Sequence, residues 1–241
     1  MNNYESHRQE KLAKEHIARK KRFIYQIALW LSIIVGIGLI VGGMIYFVSR
    51  QNPALINSSA TIESALAPDD WVKGNKDAKT VLIEYSDFQC PACAFYYPLL
   101  KKISEEFGDN LAIVYRHFPL PNHQGAKPMA YAAEAAGKQG KFWEMHDMIF
   151  DNQSKWVAQS QSKIKDIAVE YAKSLELNIE QFEKDFGSKE IEQKVEGHYR
   201  DGIKAGINST PTFFLNGQML QSPRNYDELR NIIIQAIDEN F

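Results

Sequence analysis

Residues 80–98 read TVLIEYSDFQCPACAFYYP and place two cysteines directly after an apolar run. The run 80–86 is rich in β-branched and apolar side chains, which predicts a buried strand. Residues 111–117 (LAIVYRH) predict a second strand. Between them, apolar residues recur at helical spacing before Gly108 ends the pattern: Leu99, Leu100, Ile103 and Phe107. The order is therefore strand, CxxC, helix, strand.

Both cysteines of the chain belong to this CxxC motif, and three interpretations of it compete. A structural zinc site needs four ligands, and the sequence has no second cysteine pair. A purely structural disulfide would close a ring of about four residues, which stabilises a protein by roughly 2 kcal/mol, against about 4.7 kcal/mol for a 100-residue loop. The sequence therefore favours a redox-active pair, and no metal site is expected.

A CxxC motif at the junction of a strand and a helix places its first sulfur at the helix N-terminus. Unpaired backbone N–H groups and the positive end of the helix dipole stabilise a thiolate there. Cys90 is therefore expected to be the exposed nucleophile, and Cys93, one turn further on, the more buried resolving thiol. Pro91 suits the first helical turn, where its missing N–H group costs little.

The rest of the body predicts a helical region followed by a hairpin and a last helix. Five helical segments are predicted in the middle of the chain: 126–139, 141–152, 164–175, 181–186 and 190–205. After them, 212–215 is strand-like, Asn216-Gly217 is a hairpin turn signal, and 218–220 returns as a second short strand. Apolar spacing over 229–237 predicts a closing amphipathic helix.

Taken together, these motifs resemble the DsbA-like thiol–disulfide oxidoreductases, which have the thioredoxin fold. The segment 81–98 resembles the active-site region of that family, and 207–214 (INSTPTFF) resembles its cis-proline loop. The long stretch between the second strand and Pro211 is similar to the helical domain that DsbA relatives insert. The resemblance covers roughly residues 70–241. It implies an α/β thioredoxin fold with a helical insertion at about 122–206.

The resemblance also implies roles for individual residues. Cys90 and Cys93 form the catalytic pair, Pro211 is the cis proline, and the domain itself binds no cofactor. In that fold a substrate segment is held as an extra strand beside the cis turn. The substrate contacts implied here are three: Thr210, Pro91 and Ala92.

Two positions deserve comparison with the family pattern. Glu84 lies six residues before Cys90, where the family carries a buried acid that assists proton transfer for the buried thiol. A solvent-facing strand residue is the alternative, because both faces of this strand are apolar and the alternation is uninformative. Ala92 stands where strongly oxidising DsbA proteins carry His, and it cannot donate a hydrogen bond or charge to Cys90. We therefore expect a lowered Cys90 pKa, but a weaker oxidant than the CPHC members.

The other residues near the motif are expected to have structural rather than catalytic roles. Asp87 is predicted in the turn or at the helix start. His117 and His123 are predicted on the surface, and the alternative is that either of them tunes the site. Most of three neighbouring aromatic residues are predicted in the core: Phe88, Phe95 and Tyr96.

The N-terminal part of the chain differs in composition from the rest. Residues 1–22 hold seven Lys or Arg and three Glu, and 23–49 hold no charged residue. This run of 27 residues exceeds the roughly 20 that cross a bilayer, so an uncleaved transmembrane anchor is predicted. A cleaved signal peptide is the alternative, although its apolar region is only about 7–15 residues long. The positive-inside rule places 1–22 in the cytoplasm and the body outside.

Four parts are thus expected: a basic cytoplasmic head (1–22), the anchor (23–49), a linker (50–69) and a catalytic domain (70–241). The net charge of −2 disfavours a nucleic-acid partner. By resemblance, the protein oxidises extracytoplasmic proteins with free cysteines, and a DsbB-like or vitamin-K-epoxide-reductase-like partner in the cell membrane reoxidises it. Two alternatives remain: a reductase or isomerase fed by a membrane electron donor, and a non-catalytic tethered peptide-binding or chaperone module.

Overall fold

The computed structural model describes residues 36, 39, 56–62 and 66–239. The chain divides into two units, Met1–Ala54 and Leu55–Phe241. In the first unit only Gly36 and Leu39 are described, and both are helical. The predicted head and nearly all of the predicted anchor at 23–49 therefore lie outside the described residues. Among the residues that are described, no helix is both long and apolar enough to cross a membrane.

The second unit is built on a mixed sheet, which has six strands in the described part of the chain. In chain order the strands are β1 (Ile56–Thr61), β2 (Trp71–Gly74), β3 (Thr80–Ser86), β4 (Leu111–His117), β5 (Thr212–Leu215) and β6 (Gln218–Leu220). Their order across the sheet is β1-β6-β5-β3-β4-β2. β3 and β4 are parallel, and the other neighbouring strands are antiparallel. The predicted strands 80–86 and 111–117 are confirmed at both ends.

Eight helices are described in this unit. In chain order they are α1 (Pro91–Phe107), α2 (Ala126–Gly137), α3 (Phe142–Asp151), α4 (Gln153–Trp156), α5 (Gln161–Ser174), α6 (Ile179–Phe186), α7 (Lys189–Lys204) and α8 (Tyr226–Glu239). Helices α2 to α7 fall between β4 and β5 and form the helical insert that the sequence predicts. The hairpin predicted at Asn216-Gly217 joins β5 to β6, with Asn216 and Gly217 both at positive φ, as the turn requires.

Apolar residues cover both faces of the sheet. Leu82 of β3 packs with Ile103 of α1 and Ile233 of α8 on one face. The next residue, Ile83, lies in a cluster with Phe214 on the other face, because successive strand residues point to opposite sides. All seven residues of β3 are buried, which is why its sequence shows no polar–apolar alternation.

The helical insert has a third cluster of its own. It contains Phe142, Trp156 and Phe182, and it also takes in Phe88 and Cys93 from the segment around the CxxC motif. The insert therefore packs directly against the part of the chain that carries the cysteines.

The N-terminal boundary of this unit differs from the prediction. Residues 50–69 were expected to be a linker, but Ile56–Thr61 forms β1 and pairs with β6 in antiparallel register. Its sequence, INSSAT, lacks a strong strand pattern, and its strand conformation depends on pairing with the open edge of β6. The chain just before Trp71 also contacts the sheet, because the carboxylate of Asp70 accepts hydrogen bonds from Arg116 on β4.

Candidate active site

The two cysteines lie where β3 passes through a short turn into α1. Cys90 is the residue immediately before the helix, and Pro91 occupies its first turn. Both thiols are free, and Cys93 is completely buried whereas Cys90 is 7% exposed. The expected order of exposure is therefore observed, although Cys90 is more enclosed than the sequence suggested. Its neighbours Pro91 and Ala92 are exposed, so they remain accessible to another molecule.

The surroundings of Cys90 favour its thiolate. The Cys93 thiol donates a hydrogen bond to its sulfur, and this is the largest influence on the Cys90 pKa. Burial acts in the opposite direction, but the backbone N–H groups of Ala92 and Cys93 add further stabilisation. Together these contacts lower the pKa of Cys90 to about 5. The sequence-based expectation of a lowered pKa agrees with this geometry.

Cys93 has the opposite character. Burial raises its pKa well above the usual value, and the hydrogen bond to Cys90 and the nearby charge of Glu84 raise it further. The N–H group of Asp87 donates to the Cys93 sulfur at 3.4 Å. The pair therefore consists of one thiol that ionises readily and one that keeps its proton.

Pro211 lies beside the cysteines, and the Thr210–Pro211 peptide bond is cis, as predicted. The Cys90 thiol donates to the carbonyl oxygen of Thr210 at 3.3 Å. This contact brings together residues that are 120 positions apart in sequence. The predicted site residues Cys90, Cys93, Thr210 and Pro211 therefore meet at one place.

Glu84 is buried on the central strand, so the structure has the buried acid rather than the solvent-facing alternative. Burial raises its pKa to about 8, and the charge of Cys90 adds to this rise. Its Oε1 atom has no hydrogen-bond partner among the described residues. Glu84 can therefore hold a proton at neutral pH close to Cys93, whose pKa it influences. Its part in proton transfer stays a prediction.

Replacing Glu84 with Gln should slow the release of Cys93 from the Cys90–Cys93 disulfide. Gln keeps the size of the side chain but cannot give up a proton, so the expected loss is on the order of 10²-fold, as for other general acids. In the unchanged protein the rate per dithiothreitol thiolate should also fall as the pH rises through about 8, because Glu84 then ionises. Stopped-flow reduction by dithiothreitol across this pH range measures both effects. A pH profile identical in the two proteins would contradict the role.

Asp87 is a residue whose importance the sequence did not reveal. It lies in the turn as predicted, but its carboxylate is buried and accepts hydrogen bonds from three groups. The donors are the N–H groups of Gln89 and Leu120, at 2.7 and 2.8 Å, and Nδ1 of His123 at 2.8 Å. Asp87 therefore joins the turn before α1 to the loop that follows β4. The spacing of an Asx turn at 87–89 is the one sequence signal that indicates part of this arrangement.

The predicted surface position of His117 is wrong. His117 is 1% exposed, and its Nε2 donates to Oε1 of Glu134 at 2.9 Å. The aromatic residues behave as expected, since Phe88 and Tyr96 are buried while Phe95 is 56% exposed. A strand-end histidine is buried here because a partner on a distant helix satisfies its ring nitrogen.

Within the part of the chain that the structure describes, no group of three or more His, Cys, Asp or Glu side chains is arranged to hold a metal ion.

The fold and the site define a protein of the thioredoxin-like class, and comparison with known families agrees with this assignment. Residues 66–235 match the family described as Thioredoxin, so the chain belongs to the thioredoxin family. The fold is similar to that of Wolbachia pipientis alpha-DsbA1, with a TM-score of 0.65 and 21% identity, over 72% of this chain and 94% of that one. BdbD from Bacillus subtilis is similarly related, with a TM-score of 0.63 and 22% identity over 76% of this chain and 98% of BdbD.

The chain is also similar in sequence to proteins that are named as Na(+)/H(+) antiporters. It is 38% identical over 160 residues to the Na(+)/H(+) antiporter NhaA 1 of Mycolicibacterium vanbaalenii, a match that covers 65% of this chain and 25% of the antiporter. This chain spans about a quarter of the length of the curated relatives that it matches.

Proposed function

We propose that this protein is a thiol–disulfide oxidoreductase that oxidises cysteine pairs of extracytoplasmic proteins through a Cys90–Cys93 disulfide. The observation that carries the proposal is the placement of the two thiols: Cys90 lies at the N-terminus of α1 beside Thr210, whereas Cys93 is completely buried. This placement lowers the pKa of Cys90 to about 5 and raises that of Cys93. A stabilised Cys90 thiolate favours the reduced form of the pair, and a pair with a stable reduced form oxidises other dithiols.

The reaction is a dithiol–disulfide exchange. A substrate thiolate attacks the Cys90 sulfur, the Cys90–Cys93 bond breaks, and the electron pair leaves on Cys93 as a thiolate that takes up a proton. Glu84, which is protonated below about pH 8, is the proposed donor of that proton. The second substrate thiolate then attacks the substrate sulfur of the mixed disulfide and releases Cys90 as its stabilised thiolate. The substrate loses two electrons, and the Cys90–Cys93 pair gains them.

Substrate binding is proposed beside the same loop. Thr210 and Pro211 lie next to the Cys90 sulfur, and the exposed Pro91 and Ala92 border it on the helix side. An extended substrate segment that pairs with the Thr210 backbone would place its cysteine against Cys90. The Ala92 side chain offers the Cys90 thiolate no hydrogen bond or charge, which supports the expectation of a weaker oxidant than the CPHC members.

The location and partners of the protein belong to the same proposal. The uncharged run at 23–49 follows a basic head, which supports a single-pass anchor with the N-terminus inside and the catalytic domain outside the cell membrane. A DsbB-like or vitamin-K-epoxide-reductase-like membrane protein would accept the electrons. Antiport is not proposed, because the antiporter relatives are about four times as long as the part that this chain matches.

The reduction potential of the Cys90–Cys93 pair tests the direction of the exchange. The protein is equilibrated in graded glutathione buffers, and its free thiols are counted by alkylation. We expect a value between about −120 and −180 mV, the range of known oxidants and isomerases of this chemistry. A value near −270 mV would indicate a reductase fed by a membrane electron donor instead. A pair that does not cycle at all would leave only the non-catalytic peptide-binding module.

A further inference from the structure

No side chain caps the N-terminus of helix α1. Cys90 occupies the cap position with φ of −73° and ψ of 123°, and no side-chain cap hydrogen bond is formed there. The first N–H groups of the helix thus have no side-chain acceptor, and the positive end of the helix dipole lies beside the Cys90 sulfur. Contacts from outside the helix must then hold the turn in place.

Gln153 of α4 supplies such contacts from the helical insert. Its Nε2 atom lies 2.8 Å from the carbonyl oxygen of Phe88 and 3.0 Å from that of Cys90. An amide nitrogen carries two hydrogens, so Gln153 can donate one to each carbonyl. The Cys90 carbonyl also accepts from the N–H group of Ala94 at 3.2 Å, which is the first hydrogen bond of α1.

Gln153 is well placed to act as a fixed support. Three residues further on, Trp156 is completely buried and donates from Nε1 to the carbonyl of Ile149 at 3.0 Å. A second glutamine makes the reciprocal connection, since Oε1 of Gln89 accepts from the N–H group of Gly125 at 2.7 Å. The turn and the insert are therefore joined by side chains from both sides.

We propose that Gln153 is a positioning residue that fixes the turn carrying Cys90 and thereby sets the reactivity of its thiol. The inference rests on the proposed function, since it concerns the same cysteine pair. By holding the carbonyls of Phe88 and Cys90, Gln153 keeps the first turn of α1, and with it the positive end of the helix dipole, beside the sulfur. The N–H groups at this end that lower the Cys90 pKa belong to Ala92 and Cys93.

The test replaces Gln153 with Met, which has a similar size but no hydrogen to donate. Gln159→Met is the matched control, because the Gln159 amide is exposed and donates only within its own segment, to the Lys155 carbonyl. The Cys90 pKa is measured on the full, reduced chain from the ultraviolet absorbance of the thiolate as a function of pH. We expect it to rise by about 0.5 to 1 in Gln153→Met and to stay constant in the control.

Folding of each variant is checked by thermal unfolding. Gln153→Asn is the second variant, for use if the Met variant does not fold. The Asn side chain is one methylene shorter than Gln, so it cannot reach both carbonyls. A folded variant at Gln153 with an unchanged Cys90 pKa overturns the inference, as does an equal change in Gln159→Met. The proposed function is judged separately, because reversible disulfide formation in the unchanged protein does not depend on the outcome at Gln153.

Discussion

Replacing Cys93 with Ser should convert the protein into a trap that stays covalently attached to its substrates. The Cys90 thiolate, with its pKa of about 5, attacks a disulfide in another protein, and Cys93 is no longer present to resolve the resulting mixed disulfide. Only the second thiol of the other protein can still release it, so adducts accumulate. Ser also keeps a hydroxyl that can donate to the Cys90 sulfur in place of the Cys93 thiol. The adducts are measured on non-reducing gels and identified by mass spectrometry.

The matched control for the trap is Cys90→Ser. Cys93 is completely buried and its pKa is raised, so it should form on the order of 10²-fold less adduct than Cys90 does. The difference should persist in denatured-then-refolded protein but disappear in urea, where both cysteines become equally accessible. Equal adduct formation by the two folded variants would contradict the assignment of Cys90 as the nucleophile.

The elements around the site were predictable because their patterns are local. Strand β3 is a continuous apolar run, and α1 shows helical spacing that ends at Gly108. The cysteines lie between these two elements, so their position at the start of a helix follows from sequence order alone. The same local information predicted β4 and the hairpin at Asn216-Gly217.

Contacts between distant side chains could not be obtained in this way. Gln153 is 63 residues from Cys90, and Thr210 is 120 residues from it. The resemblance to a known family indicated that Thr210 lies near Cys90. Nothing in the sequence pattern of α4 indicated that Gln153 does. Strand β1 was missed for a related reason, since a polar strand at a sheet edge is stabilised by its partner more than by its own residues.

His117 shows how a distant partner reverses a local expectation. A histidine at the end of a strand usually remains in water. Here His117 is buried, because it is one of three donors that surround the buried carboxylate of Glu134. Nε2 of His117 and Nε1 of Trp71 both lie 2.9 Å from Oε1, and Nζ of Lys194 lies 3.0 Å from Oε2. This network joins β2 and β4 to helices α2 and α7, so it connects the sheet to the helical insert.

Replacing Glu134 with Ala should therefore destabilise the protein by about 3–5 kcal/mol, the cost of leaving buried charged and polar groups without their partner. Glu144→Ala is the control, because Glu144 pairs with Lys141 at the surface and should cost less than about 1 kcal/mol. The free energy of unfolding is measured in urea at neutral pH. A loss in Glu134→Ala no larger than that in the control would mean that the network does not hold the insert to the sheet.

The same carboxylate should give the protein a defined acid sensitivity. Burial alone would raise the Glu134 pKa, but the hydrogen bond and charge of His117 and the charge of Lys194 bring it down to about 2. Because this lies below the ordinary value of 4.5, the contribution of Glu134 is fully present above about pH 4.5 and is lost as the pH falls toward 2. Glu134→Gln keeps an oxygen acceptor but does not titrate. In that variant, the free energy of unfolding should depend less steeply on pH across this range than in the unchanged protein, and equal slopes would show that Glu134 is not the group responsible.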